Sequence, residues 1–397
     1  MSRARSLSAR CDRNGAAVLL AALLLGIVLG AKVLTGGGLS APVVAGDAFV
    51  GPGKPPDLAV VHEDSTGYDG QFVYRLALDP FTREETAYGI TLDNPTYRQQ
   101  RLGLPLAAWT LTKAGVPTSL ALILVNAAAL LAAAWAGAVL ARRLGRHALW
   151  GVLVALSPGL VVAVTRDLTE PLQIGLLLVG LVAWTGRRTP LATAAAVAAF
   201  TASALTRETT LAVLAGLGLW ETYRLLRGPA RAEPLARAAA LLVPLAVAVA
   251  WQLHLESVWG VLPVSANEGD VGVPFLNTAQ TFLAGGGDWS DWTSKDALLA
   301  HAWVAERVLL AGLLAYTAYA LARGSADVRL KAGWALAALL ALSAAWGRDV
   351  AFLRAANESI VLAVLVLLGL RTRAATAALA GTAGLSVYLA GVYGVLI

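Results

Sequence analysis

Long apolar runs separated by short polar segments make up most of the chain beyond about residue 16. A helix needs about 20 apolar residues to cross a bilayer. Runs near this length predict about eleven membrane-spanning helices, near residues 16–34, 117–141, 148–165, 171–186, 190–205, 209–224, 237–254, 302–322, 330–346, 358–371 and 374–396. We therefore expect an all-α protein in which residues 1–397 form one polytopic transmembrane helical bundle.

Basic residues between alternate runs define one side of the membrane. They gather at residues 142–146, 186–188, 224–237, 323–331 and 371–373. Cytoplasmic loops carry an excess of Lys and Arg, and the N-terminal segment is basic as well. This pattern predicts a multi-pass protein of the cell membrane with a cytoplasmic N-terminus. The first run is longer than the core of a signal peptide, about 7–15 residues, which favours an uncleaved span over a cleavable signal.

The opposite, extracytoplasmic side receives two large loops and three short connectors. The large loops run over residues 35–101 and 256–300. Ionisable residues in and beside the short connectors are Asp167, Glu170, Arg207, Glu208, Arg348, Asp349, Arg354 and Glu358. One charge at the bilayer centre costs about 2.5–3.5 kcal/mol, so the concentration of charges at one face needs a reason. We interpret it as an active site at the membrane boundary.

A purely structural role for these charges is the alternative. Arg166 with Asp167, and Arg207 with Glu208, could pair locally and cap neighbouring helices. A structural ion network could form among residues at near-helical spacing, namely Arg348, Asp349, Arg354 and Glu358.

Composition supports the membrane class and excludes others. The chain is 57% hydrophobic and only 14% charged, whereas soluble domains carry about 25% charged residues. The net charge of +6 comes from basic residues at the ends of runs, so we do not expect a nucleic-acid partner. The single cysteine, Cys11, cannot form an internal disulfide, and no Cys/His set has metal-ligand spacing. We predict no metal and no cofactor.

The first large loop contains the most distinctive polar segment. Residues 70–78 have the pattern of a short amphipathic helix, which would lie in the lipid surface or on the bundle. Asp69 precedes it, as a helix N-cap or as a ligand-binding carboxylate. Arg98 and Arg101 are three residues apart and share a helical face. They could contact lipid headgroups, or they could bind a phosphate between them.

Two segments of this loop resemble the first outer loop of bacterial GT-C membrane glycosyltransferases, which use polyprenyl-phosphate sugars. They are residues 67–80, Gly-Tyr-Asp-Gly-Gln-Phe-Val-Tyr-Arg-Leu-Ala-Leu-Asp-Pro, and residues 97–106, Tyr-Arg-Gln-Gln-Arg-Leu-Gly-Leu-Pro-Leu. The first is also similar to the Trp-Asp-Gly/Ser motif of GPI-anchor mannosyltransferases, and protein mannosyltransferase-like proteins belong to the same group. The resemblance covers about a tenth of the chain and implies a GT-C-like bundle with Asp69 as the catalytic base. Many such proteins carry a pair of acids where Asp69 stands alone, and because this chain departs from the family's pattern there, we predict no metal.

The activity implied by the resemblance is inverting transfer of a hexose or pentose on the extracytoplasmic side. The donor is a polyprenyl-phosphate sugar, and the acceptor is a glycan, a lipid or a protein. Candidate ligands of the donor phosphate are Arg98, Arg101, Arg207, Arg348 and Arg354. Supporting residues are Tyr68, Gln71, Asp167, Glu170, Glu208, Asp349 and Glu358. Two alternatives remain: a lipid or small-molecule transporter or flippase, and a non-catalytic membrane scaffold with a transferase fold.

Overall fold

A computed structural model describes residues 13–228, 231–266, 272–273, 276, 279, 290–323, 328–343 and 351–395. This part of the chain is mostly helical. Its helices are α1 Asn14–Thr35, α2 Gly70–Leu78, α3 Pro95–Gln99, α4 Gly103–Lys113, α5 Thr118–Arg143, α6 Trp150–Ala155, α7 Pro158–Val164, α8 Glu170–Thr185, α9 Pro190–Thr206, α10 Thr210–Arg227, α11 Ala232–Ala240, α12 Leu242–Trp259, α13 Lys295–Arg323, α14 Val328–Ser343, α15 Ala351–Ala355, α16 Asn357–Leu370 and α17 Arg373–Val395. Short strands pair within the first loop, β1 (Ala45–Gly46) with β2 (Val61–His62) in parallel and β3 (Thr86–Ala87) with β4 (Ile90–Thr91) in antiparallel fashion.

Each predicted apolar run coincides with one or two of these helices. In the described part, four helical segments are long and apolar enough to cross a membrane, namely α1, α5, the continuous pair α11–α12, and most of α13. The apolar helices α8, α9, α14 and α16 are shorter. The helical, membrane-compatible architecture is therefore confirmed, and the number of eleven spans stays a prediction.

One predicted span, residues 148–165, is broken into α6 and α7. Pro158 is the first residue of α7, and Ser157 before it has an extended backbone. Proline has no N–H for the helical ladder and clashes with the preceding turn, so it ends one helix and begins the next.

Helix α16 is almost entirely buried and has apolar residues on all sides. Residues 357–368 are all buried. Helices α13, α14 and α17 pack around it, and α8 packs between α5 and α9 in a second layer. A helix that is hydrophobic all round belongs in the interior. Because Glu358 and Asn357 open this helix, its polar N-terminus is buried as well.

The first loop packs onto the helical bundle. Helix α2 has the predicted bounds, but nearly all its residues are buried, so of the two expected positions it takes the one on the bundle. The Asp57 carboxylate accepts hydrogen bonds from Tyr74 Oη at 2.6 Å and from Ser119 N at 3.0 Å. Ser119 lies in the first turn of α5, where the helix dipole favours an acidic group.

The described start of the second loop contacts the first. Trp259 Nε1 donates a hydrogen bond to Gln99 Oε1 at 2.6 Å, and Thr96 Oγ1 donates one to Val261 O at 3.0 Å. Asn94 Nδ2 donates to Ala266 O at 2.8 Å. Helix α3, which contains Arg98 and is followed by Arg101, is therefore fixed to the C-terminal end of α12.

Candidate functional site

Asp69 lies directly before α2, at one end of the helical bundle. Its Oδ1 accepts a hydrogen bond from Arg98 Nη1 at 2.9 Å, and its Oδ2 accepts one from Arg354 Nη2 at 3.1 Å. Within α2, all of which the structure describes, the carboxylate accepts no capping hydrogen bond. Asp69 therefore occupies the expected N-cap position, but its carboxylate binds the two arginines and makes no capping hydrogen bond.

Gln71 holds the loop that leads to Asp69. Its side chain is fully buried; Oε1 accepts a hydrogen bond from Gly46 N at 3.0 Å, and Nε2 donates one to Thr66 O at 2.8 Å. These bonds tie both sides of the loop to the start of α2. Gln71 thus supports the site through the backbone and does not contact the arginines through any bond described.

Arg354 joins three parts of the chain. Its Nε donates to Glu170 Oε1 at 2.8 Å, its Nη1 donates to Tyr68 Oη at 2.7 Å, and its Nη2 contacts Asp69. Tyr68 and Arg354 are 286 residues apart in sequence. The fold therefore brings the first loop, the start of α8 and the segment before α16 to one point.

The local pairs expected from sequence do not form. Arg207 bonds to Glu170 rather than to its neighbour Glu208. Glu208 pairs with Arg101 at 3.1 Å, and Arg101 also donates to Tyr97 Oη at 2.8 Å. Adjacent residues in an extended connector point in different directions, so each finds its partner on another element.

Of the four residues considered for an ion network, the structure describes Arg354 and Glu358, and each of these two bonds to other residues. Glu358 accepts a hydrogen bond from Gln173 Nε2 at 2.6 Å and another from Thr209 Oγ1. This layer lies one helical turn below the ion pairs, because Gln173 follows Glu170 by three residues. It supports the site from below.

A narrow cleft opens in front of Asp69. Three guanidinium groups, of Arg98, Arg101 and Arg354, lie around this single carboxylate. Arg98 stacks on the ring of Phe72, with its Cζ 4.4 Å from the ring centre. Apolar side chains complete the lining, namely Leu76, Pro105 and Leu168. Arginine's planar fork matches phosphate and carboxylate oxygens, so the cleft is suited to an anion.

The arginines also control the ionisation of Asp69. Partial burial pushes the pKa of Asp69 up, but Arg354, Arg98 and Arg101 outweigh burial and hold the pKa well below its ordinary value. In the unliganded cleft the carboxylate is therefore ionised and weakly basic.

Asp167 stands apart from this cluster. It is fully buried, its backbone is left-handed with φ of 48°, and neither carboxylate oxygen has a hydrogen-bond partner among the described residues. Burial raises the pKa of Asp167 well above its ordinary value, and the neighbouring Asn126 amide only partly opposes this. Asp167 is thus stabilised in its neutral form, which is unlike the charge-paired role expected from sequence.

Asp93 belongs to the cluster and was missed from sequence. Its carboxylate receives two hydrogen bonds from Arg98, from Nε at 2.8 Å and from Nη2 at 2.7 Å. The available signal was its position at the Asn94–Pro95 turn, five residues before Arg98. That turn folds the carboxylate back onto the guanidinium.

Two candidate residues, Arg348 and Asp349, lie outside the described residues. In the described part, no group of three or more His, Cys, Asp or Glu side chains is arranged to hold a metal ion. The site residues that the structure does describe are therefore arginines, carboxylates and tyrosines linked by hydrogen bonds.

Comparison with protein-family models and with curated protein sequences gives no match for this chain.

Proposed function

We propose that this protein is a membrane glycosyltransferase that moves a sugar from a polyprenyl-phosphate donor to an acceptor at the extracytoplasmic boundary. The observation that supports this most is the position of Asp69 among three arginines of one cleft. These residues come from distant parts of the chain, yet they meet at one end of a helical bundle. A carboxylate and phosphate-binding cations are what this reaction requires.

In the proposed reaction, the acceptor hydroxyl attacks the anomeric carbon of the donor. The bond from that carbon to the phosphate oxygen breaks, and its electron pair leaves with the polyprenyl phosphate. Asp69 takes the proton of the hydroxyl, while Arg98, Arg101 and Arg354 stabilise the charge on the phosphate. Displacement from the opposite side inverts the anomeric configuration.

An apolar cavity supports a lipid-linked donor. Its volume is about 680 Å³, and it lies between α1, α6–α7 and α17. Ile27, Trp150 and Val387 are among its lining residues, and Val161 of α7 contributes as well. Leu168, just beyond the end of α7, lines the cleft. In the proposed complex, an isoprenoid tail lies in the cavity and its phosphate binds the arginines.

The test is turnover in proteoliposomes with a panel of polyprenyl-phosphate sugars, measured as released polyprenyl phosphate. We expect Asp69→Asn to lower the rate by about 10²–10⁴-fold, because a positioned base contributes about this much. Glu63→Gln, an exposed acid of the same loop, is the control and should keep full activity. A fully active Asp69→Asn variant would exclude Asp69 as the base. Movement of the donor across the bilayer without release of lipid phosphate would favour the flippase alternative.

A further inference from the structure

Asp69 holds the same guanidinium groups that an anionic ligand of the cleft needs. Arg98 Nη1 and Arg354 Nη2 both donate to its carboxylate, at 2.9 and 3.1 Å. A carboxylate and the phosphate of a lipid-linked sugar present similar charged oxygens to arginine, and each carries one negative charge. The two anions therefore compete for one pair of donors.

We propose that Asp69 closes the anion site of the unliganded protein, and that a lipid-linked phosphate entering the cleft takes over Arg98 and Arg354 and releases the carboxylate. The inference rests on the proposed function only in naming the ligand as a phosphate. It adds a property of the site, since the binding of the donor then creates the free base.

Arg98 and Arg354 each keep another hydrogen-bond partner when the Asp69 carboxylate is released. Asp93 binds Arg98 through two other nitrogen–oxygen contacts, at 2.8 and 2.7 Å. Arg354 remains bonded to Glu170 and Tyr68, at 2.8 and 2.7 Å. The guanidinium groups would therefore stay in place for an incoming ligand, so the exchange costs little reorganisation.

Asp69 is also the carboxylate that can move. Its side chain is 30% exposed, whereas that of Glu170, the other partner of Arg354, is completely buried. The backbone beside it is fixed, because a Cβ at Gly70 would collide with the backbone of Arg166 and Val43. The cleft has a volume of only about 20 Å³, so release of the carboxylate requires a rotation of the Asp69 side chain together with a widening of the cleft.

Freed from the arginines, the carboxylate would become a stronger base. The positive charges that lower the pKa of Asp69 would then be shared with the phosphate. The carboxylate gains its proton affinity at the moment when a donor is bound. In the empty site the arginines balance its negative charge, which limits proton transfer from water to the carboxylate.

Binding without any sugar tests this competition. Farnesyl phosphate and inorganic phosphate are titrated into the purified full-length protein in detergent, with farnesol as the uncharged control. We expect Asp69→Asn to bind farnesyl phosphate about tenfold or more tightly than the wild type, because the competing anion is removed. Binding of inorganic phosphate as well would show that the anion alone suffices, whereas binding only of farnesyl phosphate would show that the lipid is needed.

Asp93→Asn is the matched control. It also removes one negative charge bonded to Arg98, but it does not remove the link to Arg354. Competition predicts a much smaller gain for Asp93→Asn than for Asp69→Asn. In the background of Arg354→Gln, the gain from Asp69→Asn should shrink, because the pair no longer interacts.

Equal gains from Asp69→Asn and Asp93→Asn would overturn the proposal, since they would reflect net charge alone. Unchanged or weaker binding by Asp69→Asn, in a variant with the wild-type melting temperature, would overturn it too. So would the absence of phosphate binding in both proteins. None of these results depends on sugar transfer, so a failure here and a failure of the glycosyltransferase proposal are distinguishable.

Discussion

Asp167 and Glu170 lie three residues apart and have opposite surroundings. Glu170 is bonded to Arg207 and Arg354, while Asp167 has no hydrogen-bond partner in the described part of the chain. Both side chains are fully buried. An ion-paired carboxylate is stable when charged, but an isolated one is stable only when it carries a proton. Glu170 is therefore part of the site, whereas Asp167, three residues before it, destabilises the folded protein when it is charged.

We expect Asp167→Asn to stabilise the protein at alkaline pH. The pKa of Asp167 is higher in the folded than in the unfolded chain, so its contribution is full below about pH 4 and is lost as pH rises through the folded pKa. The wild-type melting temperature in detergent should fall as the pH rises above about 4, and the variant should show less of this fall. A variant with an unchanged or steeper pH dependence would contradict the prediction.

The opposite result is expected at Asp57. This carboxylate binds Tyr74 Oη and the backbone N–H of Ser119 at the start of α5. Asp57→Asn weakens both bonds and should cost about 1–2 kcal/mol of unfolding free energy, a loss typical of a helix cap. Asp64→Asn is the control, because Asp64 is exposed and asparagine tolerates its left-handed backbone. Chemical denaturation should rank the control close to the wild type.

Arginines at the opposite end of the bundle bind the C-termini of helices. Arg143 Nη1 donates to Val182 O at 2.6 Å, and Arg237 Nη2 donates to Trp184 O at 2.9 Å, both near the end of α8. Arg146 Nε donates to Leu368 O near the end of α16, at 3.1 Å. Free carbonyls and the helix dipole favour cations at these positions. The residues that indicate membrane orientation thus also stabilise individual helices.

Arg237 and Arg188 provide a matched pair for testing how much these arginines contribute to stability. Arg237 is buried, stacks 3.7 Å from the Trp184 ring and pairs with the buried Glu221, whereas the Arg188 side chain is half exposed. Arg237→Gln should cost about 3 kcal/mol, because it leaves a buried acid with fewer partners. Arg188→Gln should cost less than about 1 kcal/mol. Similar losses of thermal stability in the two variants would contradict the larger contribution that we expect from Arg237.

The helices were predictable because apolar runs depend on local sequence. The bounds of α2 match the prediction, and the longer helices differ from theirs by several residues. Helix α4 and the two-residue strands were not predicted. The pairing of Ala45 with Val61 depends on how a long loop folds back, and no periodicity in a two-residue strand indicates it.

The composition of the site was more predictable than its connections. Asp69, Arg98, Arg101, Arg207 and Arg354 were all candidates, and the structure brings them together. Their actual pairs span up to 285 residues, so spacing along the chain could not identify them. From the sequence we could pair only residues that are close together along the chain, because the sequence does not give distances between remote segments.

At the scale of the whole molecule, orientation in the membrane is the proposal to test. In a Cys11→Ser background, single cysteines at Glu63 and Glu85 should react with an impermeant maleimide on intact cells, since both positions are exposed in the first loop. Cysteines at Arg187 and Arg231, which are exposed at the other end, should react only after permeabilisation. The reverse pattern would place the cleft in the cytoplasm. Asp167 is too deeply buried to serve as a reporter.

The long separation between Asp69 and Arg354 has a consequence for biosynthesis. A ribosome adds roughly 5–20 residues per second, so the arginine leaves it roughly 15–60 s after the aspartate, given 285 residues between them. Until then, Glu170 has only Arg207 of its two cationic partners, and the growing polypeptide carries an incomplete centre. Nascent or truncated chains would accordingly be inert, and the last quarter of translation would decide when the protein becomes competent.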